Sequence, residues 1–119
     1  MQARLRFGRG RRIKQSRDFA HIRQSGERIG SGCLIANWDS VPGQSRSRLG
    51  VVTSARIGSA VTRTRARRLL REAFRLHQHQ LREPVDLVLV ARQSVVGKTF
   101  ASVEKDLLTT LRKAGLLQQ

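Results

Sequence analysis

Between residues 59 and 77 the apolar positions recur at helical spacing. At about 100° per residue, Thr62, Ala66, Leu69, Leu70, Ala73, Phe74 and His77 share one arc. Arg65, Arg67, Arg68, Arg71 and Arg75 occupy the opposite arc, interrupted by Thr64 and Glu72, and Arg63 falls near the apolar boundary. Gly58-Ser59 supplies the start signal, since a serine hydroxyl accepts a hydrogen bond from the free N–H groups of a first turn. The pattern predicts an amphipathic helix with a wet face made almost wholly of arginine.

Elsewhere the periods change. Ser16 reads as the cap of a short helix bearing Phe19 and Ile22 on one side, with Gly26 as its stop. Residues 29–39 and 47–53 read as strands. Around Cys33-Leu34-Ile35-Ala36-Asn37-Trp38 the alternation is blurred, which predicts cover on both faces. Val41-Pro42-Gly43-Gln44-Ser45 reads as a turn, so Arg48-Leu49-Gly50-Val51-Val52-Thr53 is expected to return as an antiparallel hairpin partner. Gly50 in that strand marks a bulge or a close approach of another backbone. Val85-Asp86-Leu87-Val88-Leu89-Val90-Ala91 is the most apolar run and predicts a central buried strand. Phe100, Val103, Leu107, Leu111 and Ala114 form the stripe of a last helix, capped by Thr99 and stopped by Gly115. Trp38, at a strand end beside Asp39, is expected to pack rather than stack on a base.

Charge sharpens this picture. The chain of 119 residues carries 24 Lys and Arg against 8 Asp and Glu, a net charge of +16. Such a chain repels itself and is best explained by a polyanionic partner. A merely solvated helix face would mix signs, because like charges one turn apart repel. Arg67, Arg71 and Arg75 form such a ladder, relieved by Glu72 alone. Arginine's planar fork suits phosphate oxygens, so the helix is expected to meet nucleic acid. Residues 1–15, rich in Arg and loosened by Gly8 and Gly10, read as a basic arm with Leu5, Phe7 and Ile13 as possible tacks; residues 16–119 read as one domain.

Several chemistries find no support. Cys33 is the only cysteine, so no disulfide framework or cysteine metal cluster is expected. His77 and His79, at i and i+2, do not face one point, and His21 has no sequence partner. Gly97-Lys98-Thr99 after a strand has the layout of a phosphate loop, but Arg92 stands where the motif needs glycine, and no nucleotide cofactor is expected. The acids are scattered, with Glu104 and Asp106 far in sequence from any histidine, so no catalytic side chain is expected. No apolar run is long enough to span a membrane and no apolar segment follows the basic N-terminus, which predicts a cytoplasmic protein without a membrane partner.

The run Ile57-Gly58-Ser59-Ala60-Val61-Thr62-Arg63-Thr64-Arg65, followed by Arg68-Leu69-Leu70-Arg71-Glu72-Ala73-Phe74-Arg75, resembles the signature of the bacterial ribonuclease P protein component. That pattern is Gly-Asn-Ala-Val-x-Arg-Asn-Arg with an Arg-Leu-x-Arg-x-Ala-Phe tail; Ser59 and Thr64 stand where the family has Asn. The likeness extends to Asp18-Phe19 and Gly26 and covers nearly the whole chain. It implies an α+β single-domain two-layer sandwich of order αβββαβα, like the second domain of ribosomal protein S5, with a left-handed βαβ crossover. It also implies an accessory subunit of an endoribonuclease whose RNA subunit, using Mg2+, removes the 5′ leader of precursor tRNA. On that resemblance Arg56, Arg63, Thr64, Arg65, Arg67, Arg68, Arg71 and Arg75 would contact the RNA subunit. Phe19, Arg23 and strand residues around Ala36 would line a cleft for the leader. The competing reading is a structural RNA-binding protein, such as a ribosomal protein or RNA chaperone.

Overall fold

The structure, a computed structural model, describes residues 12–13, 16–41, 43 and 46–118. Its elements are α1 (Ser16–Ser25), β1 (Glu27–Ser31), β2 (Leu34–Ser40), β3 (Arg48–Val52), α2 (Ala60–His77), β4 (Val85–Ala91) and α3 (Phe100–Lys113). The order αβββαβα and the α+β class agree with the expectation. Most of the basic arm, with its tacks Leu5 and Phe7, lies outside the described residues, as do most of the turn at 41–45 and the side chains of Ser16 and Asp18.

The four strands form one mixed sheet in the order β1-β2-β4-β3. β4 pairs antiparallel with β2 and parallel with β3, so the most apolar run, broken only by Asp86, is indeed an interior strand. Two expectations need correction. The stretch 29–39 is not one strand, because Gly32, at φ +61°, turns it into a β1–β2 hairpin. And β3 is not the hairpin partner of β2, because β4 lies between them. A Pro-Gly turn reverses the chain, but it does not choose which strand fills the place alongside.

Gly32 is fixed twice over. Besides its positive φ, a Cβ there would sit 2.3 Å from Cγ of Asp106 on α3. The Asp106 carboxylate accepts a hydrogen bond from the Cys33 N–H at 3.0 Å, locking the hairpin turn to α3. Burial first, then the hydrogen bond to Asp106 and its charge, push the Cys33 thiol up to about 11. At neutral pH this is a packed, protonated thiol rather than a nucleophile.

Because successive strand residues face opposite ways, the sheet splits its side chains between two cores. Leu34, Ala36, Trp38, Leu49, Leu87 and Leu89 face α2 and α3, meeting Ala66, Leu70, Phe74, Val103, Leu107 and Leu111. Trp38 is buried there, as expected. Val88 faces the other way, toward Ile13 and Ile22, with Phe19, Val52 and Val90 packed around them. The fold therefore has a third layer: α2 and α3 cover one face of the sheet, and α1 crosses part of the other. Ile13 is the one expected tack that is described. It is buried, and its N–H donates to the Leu49 carbonyl at 2.8 Å, extending the free edge of β3.

The helix ends follow their local signals. Ser59 accepts from the Thr62 N–H at 3.3 Å, and Thr99 from the Ser102 N–H at 3.2 Å. At the far end of α3, Gly115 adopts φ +73° while the Leu116 N–H returns to the Leu111 carbonyl and the Gly115 N–H to that of Arg112. That reciprocal pair satisfies two of the carbonyls a helix end leaves open.

Candidate nucleic-acid interface

The apolar arc of α2 puts Ala66, Leu70, Ala73 and Phe74 into the core, which leaves its arginines outward. Arg65 and Arg68 are exposed, while Arg63, Thr64, Arg67, Arg71 and Arg75 are half-buried along the flanks. Arg67 leans toward the sheet: Nη1 donates to Thr53 Oγ1 at 2.7 Å and Nη2 to Thr64 Oγ1 at 3.1 Å. Thr64, standing where the family has asparagine, thus aims a neighbouring guanidinium. Arg75 pairs with Glu72, the acid that breaks the ladder, through Nε at 2.9 Å. Arg56 is exposed just ahead of α2, and its carbonyl accepts from Gln93 Nε2 at 3.1 Å. The buried Nε of Arg63 has no hydrogen-bond partner among the described residues.

Sequence reasoning missed Arg12. Docked at the β3 edge, it joins Arg65, Arg68, Arg71 and Arg75 around an open cavity of roughly 600 Å³. Burial, followed by the charges of Arg12 and Arg67, lowers the Arg71 guanidinium below its ordinary value. Among the described residues Glu72 is the one acid that lines this cavity, and cations crowded to this degree attract an anion with closely spaced charges.

On the opposite face of the sheet, α1 and the strands enclose a second hollow of roughly 370 Å³, lined by Phe19, Ala20, Arg23 and Val52. The close approach expected at Gly50 is that of the Phe19 ring, not of a backbone: a Cβ there would lie 2.6 Å from Cε1 of the ring. Phe19 is half-buried, with its ring against β3 and its rim in the hollow. The structure brings Phe19 and Arg23 together but excludes Ala36, which is fully buried in the core beneath α2 and α3. Its neighbours Ile35 and Asn37 face the α1 side. The resemblance led to the right strand, and a parity of one residue decided the face. Arg92, whose guanidinium lies over Gly30 on this same face, was not anticipated.

The two regions meet at the end of β3. Val52 floors the hollow, and the next residue, Thr53, holds Arg67 of the arginine face. Val52 and Thr53 thus serve opposite faces of the sheet, one lining the hollow and the other holding an arginine of α2.

A third constellation was hidden by distance in sequence. His77 Nε2 lies 2.8 Å from Glu104 Oε2, and the Gln80 amide bonds His77 Nδ1 at 2.8 Å. The trio ties the end of α2 to α3. Among the described residues no three His, Cys, Asp or Glu side chains are grouped to hold a metal, and no helix is long and apolar enough to cross a membrane.

Comparison with known proteins matches this arrangement. Residues 7–115 fit the Ribonuclease P family model. The ribonuclease P protein component of Gluconacetobacter diazotrophicus is 37% identical over 111 residues, covering 91% of this chain and 94% of that protein. That of Syntrophomonas wolfei is 35% identical over 105 residues, covering 88% and 87%. Among solved structures, the RNase P protein of Staphylococcus aureus superposes with a TM-score of 0.83 at 26% identity, covering 91% of this chain and 98% of that one. The Thermotoga maritima RNase P protein gives 0.77 at 26% identity, covering 86% and 96%. With the family model matched over residues 7–115 and nearly the full length shared with these relatives, the chain belongs to the ribonuclease P protein family, the protein components that work with an RNA partner in RNA processing.

Proposed function

We propose that this chain binds the RNA subunit of ribonuclease P through the arginine face of α2 and holds the 5′ leader of precursor tRNA in the Phe19 hollow. The RNA subunit, with its own Mg2+, performs the cleavage; the protein screens phosphate charge and positions the substrate. The observation that carries this reading is the crowding of Arg12, Arg65, Arg68, Arg71 and Arg75 around one cavity beside α2. The hollow that holds Phe19 and Arg23 lies on the other face of the sheet, and both regions reach the end of β3 at Val52-Thr53.

The test is cleavage of precursor tRNA by a bacterial ribonuclease P RNA at limiting Mg2+. Adding the chain should lower the Mg2+ needed for correct 5′ maturation, because its cations replace part of the metal's charge screening. The chain without the RNA subunit should leave the substrate intact. Site-specific cutting by the protein alone would overturn the assignment and direct attention to the His77–Glu104 pair.

Phe19 offers a second check. With one edge against Gly50 and another in the hollow, its ring is placed to stack on a leader base, an interaction that forfeits roughly 1–3 kcal/mol when the ring is removed. Phe19→Ala should therefore weaken binding of leader-bearing precursor about 5- to 150-fold, with leaderless tRNA and the RNA subunit bound nearly as before. Equal losses for both tRNAs would defeat the leader role. Phe19→Leu, which keeps most of the packing, separates a folding defect from a binding defect.

A further inference from the structure

Exposed valines scattered singly on a protein surface need no explanation. Here, however, the large apolar side chains most exposed among the described residues, Val61 at 80% and Val96 at 50%, come together. Val61 opens the first turn of α2. Val96 ends the short 3₁₀ turn at Gln93–Val95 that follows β4. Between them lies a notch of roughly 240 Å³, floored by Ala66 and Val95 and edged by Thr62, Gly97 and Arg65. Two hydrogen bonds brace its mouth: Arg65 Nη2 donates to the Lys98 carbonyl at 2.9 Å and Gln93 Nε2 to the Arg56 carbonyl at 3.1 Å. These two bonds clamp the loop after β4 to the start of the arginine helix. Gly97, at φ +80°, has open space where a Cβ would project, so the loop leaves that side clear.

From this geometry we infer that the notch seats one unpaired nucleobase of the RNA subunit. The inference rests on the proposed assembly with that RNA and adds to it a contact that is not made through phosphate. Three observations select the occupant. The volume falls below the ~300–1,000 Å³ of a small-molecule pocket, a scale that suits a single ring system. Among the described residues the notch is lined by one cation, Arg65, and by no acid, and the bonds that clamp it end on the carbonyls of two further basic residues, Arg56 and Lys98, which favours a group attached to a polyanion. And Arg65 also lines the large arginine cavity, so notch and phosphate-binding face are one continuous surface. An unstacked base can lay its apolar face on the valines while an arginine guanidinium packs on its plane, a common mode in recognition of single-stranded RNA.

The test uses the full chain, a bacterial ribonuclease P RNA, and the Val61→Ser/Val96→Ser double variant. Both side chains are exposed, so melting should change little. Affinity for the RNA should fall about tenfold, in line with the loss of two partly buried apolar contacts. The slope of log affinity against log salt should stay at the wild-type value, because no cation has been removed. Probing of the RNA with dimethyl sulfate and a carbodiimide should reveal an unpaired base protected by the wild-type protein and reactive with the variant. Val96→Ser alone should move affinity the same way by a smaller factor. A loss under twofold, a changed slope, or identical base protection would overturn the inference, as would an effect confined to binding of another protein. Wild-type protein that fails to bind this RNA at all would instead overturn the proposed function, so the two failures are distinguishable.

Discussion

Raising salt from 50 to 200 mM should weaken binding of this chain to structured RNA by about 250- to 1,000-fold. About six phosphates neutralised by the α2 cations would give a slope of log affinity against log salt near −4 to −5, by counterion release. Removing Arg68 and Arg71 together (Arg68→Ala, Arg71→Ala) should make that slope shallower by about 1 to 2, one counterion term per charge. These two are preferred to Arg67, which holds Thr53 and Thr64 and would confound binding with local structure. Arg71 is crowded by Arg12 and Arg67, so folding should survive the change or improve slightly as repulsion drops. A wild-type slope shallower than about −2 would mean that the arginine face is mostly solvated.

Phe74→Ala should cost about 3–5 kcal/mol of folding stability. Phe74 is fully buried, on the same helix as the arginines but on its opposite arc. Removing the ring leaves a cavity bounded by two helices and the sheet, and such a site collapses poorly. With a total stability of roughly 5–15 kcal/mol, the variant should melt well below the wild-type protein. Yet at a temperature where it is still folded, its salt slope should match that of the wild type, since every arginine remains. Thermal melting with RNA titration below the transition checks both halves. A loss under about 1 kcal/mol would show the core around α2 to be loosely packed. Set beside Phe19→Ala, the contrast separates a ring that builds the fold from one placed to meet RNA.

What could be read in the sequence was whatever local forces decide. The arcs of α2 and α3, their caps at Ser59 and Thr99 and the stop at Gly115 all follow from spacing within a few residues. The burial of β4 on both faces was legible because every position from Leu87 to Ala91 is apolar. Strand neighbours were not, because the place beside β2 is filled by residues more than forty positions away. Facing was legible only where alternation is clean; β2 is covered on both sides, so nothing in its composition distinguished Ala36 from Ile35 and Asn37. The same limit hid His77 from Glu104 and Val61 from Val96. Each pair is created by the packing of α2 against the segment that follows β4, which no local pattern encodes.

The position of β4 also governs how the molecule comes into being. The strand that joins β2 to β3 is the last one synthesised, and every sheet contact of β3 with another strand is made through it. Until Ala91 has left the ribosome, β1 and β2 can close as a hairpin, but β3 has no strand to pair with and the arginine helix no finished sheet to rest on. Long-range closure of this kind is slow, and it leaves apolar strand edges open in the meantime. In this chain those edges are carried on a strongly cationic polymer. At such a net charge, copies with an incomplete sheet repel one another. The charge that serves the finished protein at its interface would serve the unfinished one as its protection against aggregation.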